Sequence, residues 1–294
     1  MCLTHFNLYI MLKFIIKISL LFIPCVGFSQ GNRFGLISTS IDTIAHEFYY
    51  DYNYQKDSTD SSSEKYQEMI LQVGNRHSKF CSVNSIITDS VMFALEGLSR
   101  SVALQKYASV LQESPTATLC RYYVLKDFPE KKQINFIAKL GAYSSISVKE
   151  KSSFDWKFVE GDTTILTYSC HKAICSYGGR DYIAWFAPDI PISDGPYKFS
   201  GLPGLIVRLS DTNKEHISEL YKVKEPNNSS EMFFIRKDDL IETTPQGYCK
   251  ALKKYQHDNY MKWGGNPNLQ YDSPDGEAKM LRNIRSKNNF IERY

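Results

Sequence analysis

No catalytic signature interrupts this sequence. It has no Gly-x-Ser-x-Gly elbow, no His-Glu-x-x-His pair, no Walker loop and no glycine fingerprint for a dinucleotide. No catalytic residue and no cofactor is therefore assigned. His46, His77, His171, His216 and His257 stand without acidic companions at a recognisable spacing. A triad assembled from distant positions stays open, but nothing promotes one. Cys170, His171 and Cys175 lack the second ligand pair that a closed zinc site needs, so no metal is assigned. An excess of one charge is also missing. Thirty-five Lys and Arg against 32 Asp and Glu leave +3, no electrostatic footprint for nucleic acid. There is no internal repeat and no interdomain linker. Beyond the N-terminal segment, no apolar run is long enough to cross a bilayer as a helix.

What is present begins with an export signal. From Met11 the chain reads MLKFIIKISLLFIPCVGFSQ. Lys13 and Lys17 make a positive n-region, Ile18 to Val26 an apolar h-region, and Gly27-Phe28-Ser29 a small-x-small exit. Residues 1–29 are read as a secretory signal peptide, with Met11 as the alternative start. The protein is expected to be periplasmic or secreted, its net charge falling from +3 to +1 with the loss of two lysines and no acids. A lipid anchor at Cys25 is the lesser alternative, because Pro24 stands where a lipobox needs a small residue. Cys81, Cys120, Cys170, Cys175 and Cys249 remain. In an oxidising compartment, one or two disulfides of open connectivity are expected.

Residues 30–294 read as one domain. Twenty Tyr and 17 Phe, with alternating Thr, Val and Ile, favour strands. ISTSIDTIAHEFYYDYNY (37–54) is one long strand or a hairpin, QKDSTDSSSEKY (55–66) a polar loop, and MILQVGNRHSKFCSVN strand, turn and strand. Thr88-Asp89-Ser90 looks like the cap of a helix running through VMFALEGLSRSVALQKYASVLQ. Strands are then expected at 121–128, 132–140, 145–151, 153–160, 163–170, 181–188, 205–210 and 216–225, with turns at Pro129-Glu130, Gly161-Asp162 and Gly178-Gly179. A helix interrupted at 243–247 lies within 237–262, and the end is a short helix or a basic tail. The expected class is α+β and β-rich: a curved antiparallel sheet, an open bowl or half-barrel, with one early helix and short C-terminal helices.

Two stretches carry unusual residues. In Gly201-Leu202-Pro203-Gly204-Leu205, Pro203 has a preset φ and Gly204 tolerates a positive one, so a type II turn with Leu202 and Leu205 in the core is expected. Along an extended strand, Cys170 and Cys175 point to opposite faces, which leaves a local disulfide the lesser option. Arg180, Tyr182, Trp185 and Arg208 form a charged and aromatic band able to hold an anion or a sugar, against the plainer reading of a solvated strand face or an ion pair.

These residues also carry a resemblance. Trp156-Lys157, Tyr168-x-Cys170-x-Lys172-Ala173, Gly179-Arg180, Ala184-Trp185-Phe186-Ala187-Pro188-Asp189-Ile190-Pro191, Gly195-Pro196-Tyr197-Lys198-Phe199 and Gly201-Leu202-Pro203-Gly204-Leu205-Ile206 resemble the GLPGLI family of exported proteins. Ser78-Lys79-Phe80 and Asn289-Phe290-Ile291-Glu292 match it more loosely, and Cys175 falls outside its pattern. The resemblance implies an exported protein of unestablished function and brings no catalytic residue. Three readings follow. The first is a non-enzymatic envelope protein holding a hydrophobic, peptide or glycan ligand on a concave sheet face. The second is an envelope hydrolase using acids among Asp181, Asp189 and Asp194. The third is an assembly partner of an outer-membrane protein through the basic tail and a strand edge.

Overall fold

A computed structural model describes residues 36–94, 119–140, 144–226, 230–237, 240–263 and 273–294, with isolated positions between 98 and 109. The signal peptide reading, with Cys25, lies outside the described residues. Among the described residues thirteen strands form one sheet: β1 (Leu36–Asp57), β2 (Asp60–Gly74), β3 (Ser78–Ser82), β4 (Tyr122–Lys126), β5 (Gln133–Leu140), β6 (Ser144–Lys151), β7 (Lys157–Ile165), β8 (Tyr168–Tyr177), β9 (Arg180–Ala187), β10 (Leu205–Asp211), β11 (His216–Lys224), β12 (Glu231–Lys237) and β13 (Leu240–Thr243). Among the described residues there are three complete helices, α1 (Val83–Ala94), α2 (Pro245–Trp263) and α3 (Gly276–Arg285).

The strand order is β13-β6-β5-β4-β3-β2-β1-β11-β10-β9-β8-β7, with β12 paired to β1 off this path. All pairs are antiparallel except β13 with β6. The sheet is open, with β7 and β13 at its two ends. β1 holds its halves together because the run FYYDYNY alternates cleanly. Phe48, Tyr50 and Tyr52 turn inward and are buried, while the same strand pairs with β2 on one side and β11 on the other.

The sheet must curve, because strands far apart in its order share one core. Phe80 of β3, Val124 of β4, Phe136 of β5 and Val148 of β6 pack in the same cluster as Ala173 of β8, Tyr182 of β9 and Leu205 of β10. The Tyr50 hydroxyl donates to the Ile206 carbonyl at 2.8 Å inside this cluster. On the other face Ile41, Ile70, Cys81, Leu125 and Ile137 form a smaller cluster, against which Val83 and Ile86 of α1 pack.

Several expectations are corrected. The polar segment 55–66 is the tip of the β1–β2 hairpin: Ser and Asp side chains bond backbone N–H groups there, as Asp57 does for Thr59 and Asp60 for Ser62, and strand pairing resumes at once. Gly161-Asp162 is a bulge within β7, and the chain reverses at Leu166-Thr167 instead. α1 begins at Val83, so Asp89 is no cap. It is buried and accepts the Tyr123 hydroxyl at 2.8 Å. The positions described between 102 and 109 are helical, and the rest of that stretch is outside the described residues. Thr244-Pro245-Gln246-Gly247 begins α2 rather than interrupting it. The Thr244 hydroxyl accepts the Gly247 N–H at 3.1 Å, and proline suits the first helical position. All five cysteines are buried free thiols, so the expected disulfides are absent from the described residues.

Candidate functional site

The β8–β9 hairpin turns at Gly178 and Gly179, with φ of 57° and 75°. A Cβ at Gly179 would stand 2.6 Å from the Arg293 carbonyl oxygen, because the last residues of the chain lie across this turn. The Arg293 N–H donates to the Gly178 carbonyl at 2.6 Å. Arg180 follows and points inward. Its Nη1 reaches Asp211 Oδ2 at 2.8 Å and Glu215 Oε2 at 2.6 Å. Its Nη2 donates to Asn289 Oδ1 at 2.5 Å and, at 2.8 Å, to the Phe290 carbonyl, which Nε also reaches. The Tyr182 hydroxyl donates to the Ile291 carbonyl at 2.8 Å. Burial alone would raise the Glu215 carboxyl, but its hydrogen bond to Arg180 and the charges of Arg180 and Arg293 hold it below its ordinary value. Burial, with the same two arginines, depresses the neighbouring His216 to about 3, so this imidazole is neutral and meets the Tyr52 hydroxyl through Nδ1 at 2.7 Å.

The four band residues do not converge. Arg180 and Tyr182 face the docked tail. Trp185 and Arg208 are cross-strand partners on the opposite face. Arg208 there donates through Nε to Glu219 at 2.6 Å, half in solvent, and Lys172 Nζ stands 5.8 Å over the Trp185 ring. The acids are dispersed as well. Asp181 and Asp189 are exposed, whereas Asp194 is buried with Lys126 Nζ and the Ser78 hydroxyl each at 2.5 Å. They make no carboxylate pair across a cleft, so the hydrolase reading loses the residues that motivated it.

The concave face is filled by its own side chains. Tyr50, Phe48, Phe80, Phe199 and Leu71 are all less than 2% exposed within it. No apolar ligand fits there without unpacking the core. Space is found instead at the end of the sheet where the β8–β9 and β10–β11 turns meet the tail. A cavity of about 440 Å³ is lined there by Ser176, Asp181, Thr212, Asn213 and Arg293, together with Gly179 and the buried Arg180–Asp211 pair. The Ser176 hydroxyl holds Asp181 at 2.5 Å, and Arg293 Nη2 reaches Glu215 and Asn289 while remaining 40% exposed. Sequence reasoning missed Ser176, Thr212, Asn213 and Arg293. The only trace of the tail's role was the loose Asn289-Phe290-Ile291-Glu292 match.

The Gly201–Gly204 turn is tighter than type II. The Gly204 N–H donates to the Leu202 carbonyl at 2.9 Å, one residue short of a β-turn, so Pro203 is the centre of a γ-turn. Leu205 N–H is thereby free to bond the Ile190 carbonyl at 3.0 Å. Leu202, Leu205, Ile206 and Val207 are buried. Gly201 and Gly204 have φ of 95° and 149°.

Residues 177–208, from the end of β8 into β10, match a family model described as a protein of unknown function (Porph_ging). No curated protein matches the chain. Among solved structures, PNGF-II in space groups P21 and C2 is 12% and 13% identical, with TM-scores of 0.47 and 0.46. The match covers 72% of this chain and 34% and 33% of those chains, so this chain spans about a third of their length. Over the segment that carries its hairpin arginine and its GLPG turn, the chain is thus similar to a family of unknown function.

Proposed function

We propose that this is an exported, non-enzymatic binding protein of the cell envelope that holds a hydroxyl-rich ligand, a glycan, in the polar cavity beside the β8–β9 turn. The observation that carries the reading is the contrast between the concave face and this cavity. The concave face is packed solid, while the cavity is open and lined by Asp181, Asn213, Thr212, Ser176 and Arg293. A carboxylate, an amide, hydroxyls and a guanidinium together supply both donors and acceptors, which vicinal hydroxyls require. An apolar ligand would make no use of these donors and acceptors.

Calorimetric titration with chitotriose and maltotriose as probes tests the reading. Binding of either sugar is expected, and Asp181→Asn, an exposed isosteric change, should weaken it about tenfold, equivalent to about 1.4 kcal/mol. Failure of both sugars to bind, or binding indifferent to Asp181→Asn and Asn213→Ala, would sink it.

A further inference from the structure

Lys198 is the most unusual charged group in the molecule. Its side chain is 1% exposed, and its Nζ touches two carboxylates, Glu150 Oε1 at 2.5 Å and Glu292 Oε1 at 2.6 Å. The rings of Phe136, Tyr197 and Tyr177 wall it in, with centroids 4.7, 5.4 and 5.8 Å from Nζ. Tyr177 donates to Glu150 Oε2 at 2.8 Å, and Tyr197 to Glu292 Oε1 at 2.5 Å. The two carboxyls are thus fixed around one buried amine, Glu292 buried with it and Glu150 at the edge of the site, 15% exposed.

Lys126 shows what a purely structural buried lysine looks like in the same protein. Its three N–H groups are matched by three acceptors, Asp194 Oδ1, the Gly195 carbonyl and the Phe199 carbonyl. Lys198 has instead a second carboxyl and an aromatic box. That arrangement suits a reaction better than a rest state: one carboxyl can be attacked while the other moves the proton.

We propose that Lys198 Nζ condenses with the Glu150 carboxyl to form an intramolecular amide, with Glu292 as the proton carrier. Nζ passes a proton through the Glu292 carboxylate to Glu150 Oε1, and its freed lone pair attacks Cδ of the neutral acid to make the C–N bond. Tyr177, bonded to Oε2, stabilises the oxygen that becomes the amide carbonyl. The bond from Cδ to Oε1 breaks, and Oε1 leaves as water with the proton from Glu292 and a second from Nζ. One N–H remains on the amide, Glu292 ends as the carboxylate it began as, and no oxidant or co-reactant is needed. Fixed contact makes the step effectively unimolecular, where effective molarities reach about 10⁵ M or more. Burial of Nζ then slows the hydrolysis that would reverse it. The bond would tie β6 to the connection between β9 and β10.

Intact-mass measurement of the purified wild-type protein tests this. The protein is expected to be lighter than its sequence by one water, and a digest should yield the peptides containing Glu150 and Lys198 as one branched species. Glu292→Gln keeps the size of the side chain and an acceptor for Tyr197, and should show the full mass with an unchanged circular dichroism spectrum. A wild-type protein at full mass, or a water loss that persists in Lys198→Met, overturns the amide. A Glu292→Gln protein that still loses the water overturns the proton carrier.

Discussion

At the scale of single residues, two glycines of one motif have different duties. A Cβ at Gly204 would meet the Ala187 carbonyl oxygen at 2.3 Å and Pro188 N at 2.8 Å, backbone that cannot swing aside. At Gly201 it would meet only the Trp156 ring at 3.8 Å, so φ alone is at stake. Gly204→Ala should therefore cost about 3 kcal/mol or more, and Gly201→Ala about 1 kcal/mol, read from urea midpoints. Equal costs would show that the close approach is not what fixes Gly204. His216 makes a second prediction. Its folded value of about 3 lies below the ordinary 6.5, so above pH 6.5 both states are neutral there and its contribution is intact. As pH falls, the unfolded chain takes the proton first. Stability then drops between pH 6.5 and 3 by roughly 4–5 kcal/mol from this group alone. His216→Phe keeps a ring against Tyr52 and Tyr54 and should flatten that part of the pH profile of unfolding; an unchanged slope would assign it to other groups.

At the scale of elements, alternation was readable and chain reversal less so. FYYDYNY, the hairpin at Gly178-Gly179 and the strands of 121–151 could be read because period two and paired glycines report burial and turns directly. The Ser/Asp-rich segment misled because side-chain bonds to the backbone let a polar run form a hairpin tip. The C-terminal tail was illegible for another reason. Asn289 and Glu292 are buried by contacts with Arg180, Tyr197 and Lys198, about a hundred residues away in the chain, and no local pattern announces such partners. Removing residues 288–294 would strip Arg180 of Asn289 and Phe290, Tyr182 of Ile291 and Lys198 of Glu292. The buried donors left behind cost about 1–3 kcal/mol each. Truncation is expected to abolish cooperative thermal unfolding or lower its midpoint by more than about 10 °C. A truncated protein as stable as the full chain would make the tail an accessory rather than a part of the core.

At the scale of the whole molecule, the class and the open curved sheet were legible, because strand count and the position of the helices follow from periodicity. The site was not. The candidate band was chosen for residue type, and burial then assigned Arg180 and Tyr182 to holding the tail. The cavity is built from turn residues whose types are common at any surface. The cysteines give the last test at this scale. The sequence suggested covalent stapling, but a sheet of thirteen strands with a packed interior has apolar area enough to fold without it. Burial pushes the Cys81, Cys120 and Cys175 thiols up to about 12 and raises Cys170 and Cys249 as well. Thiols so placed are poor nucleophiles. The native protein purified under air is therefore expected to be silent to Ellman's reagent and to release all five thiols of residues 30–294 only in denaturant. Dithiothreitol should leave its urea midpoint unchanged. A drop equivalent to about 2–5 kcal/mol on reduction would instead mean that two of these cysteines are joined.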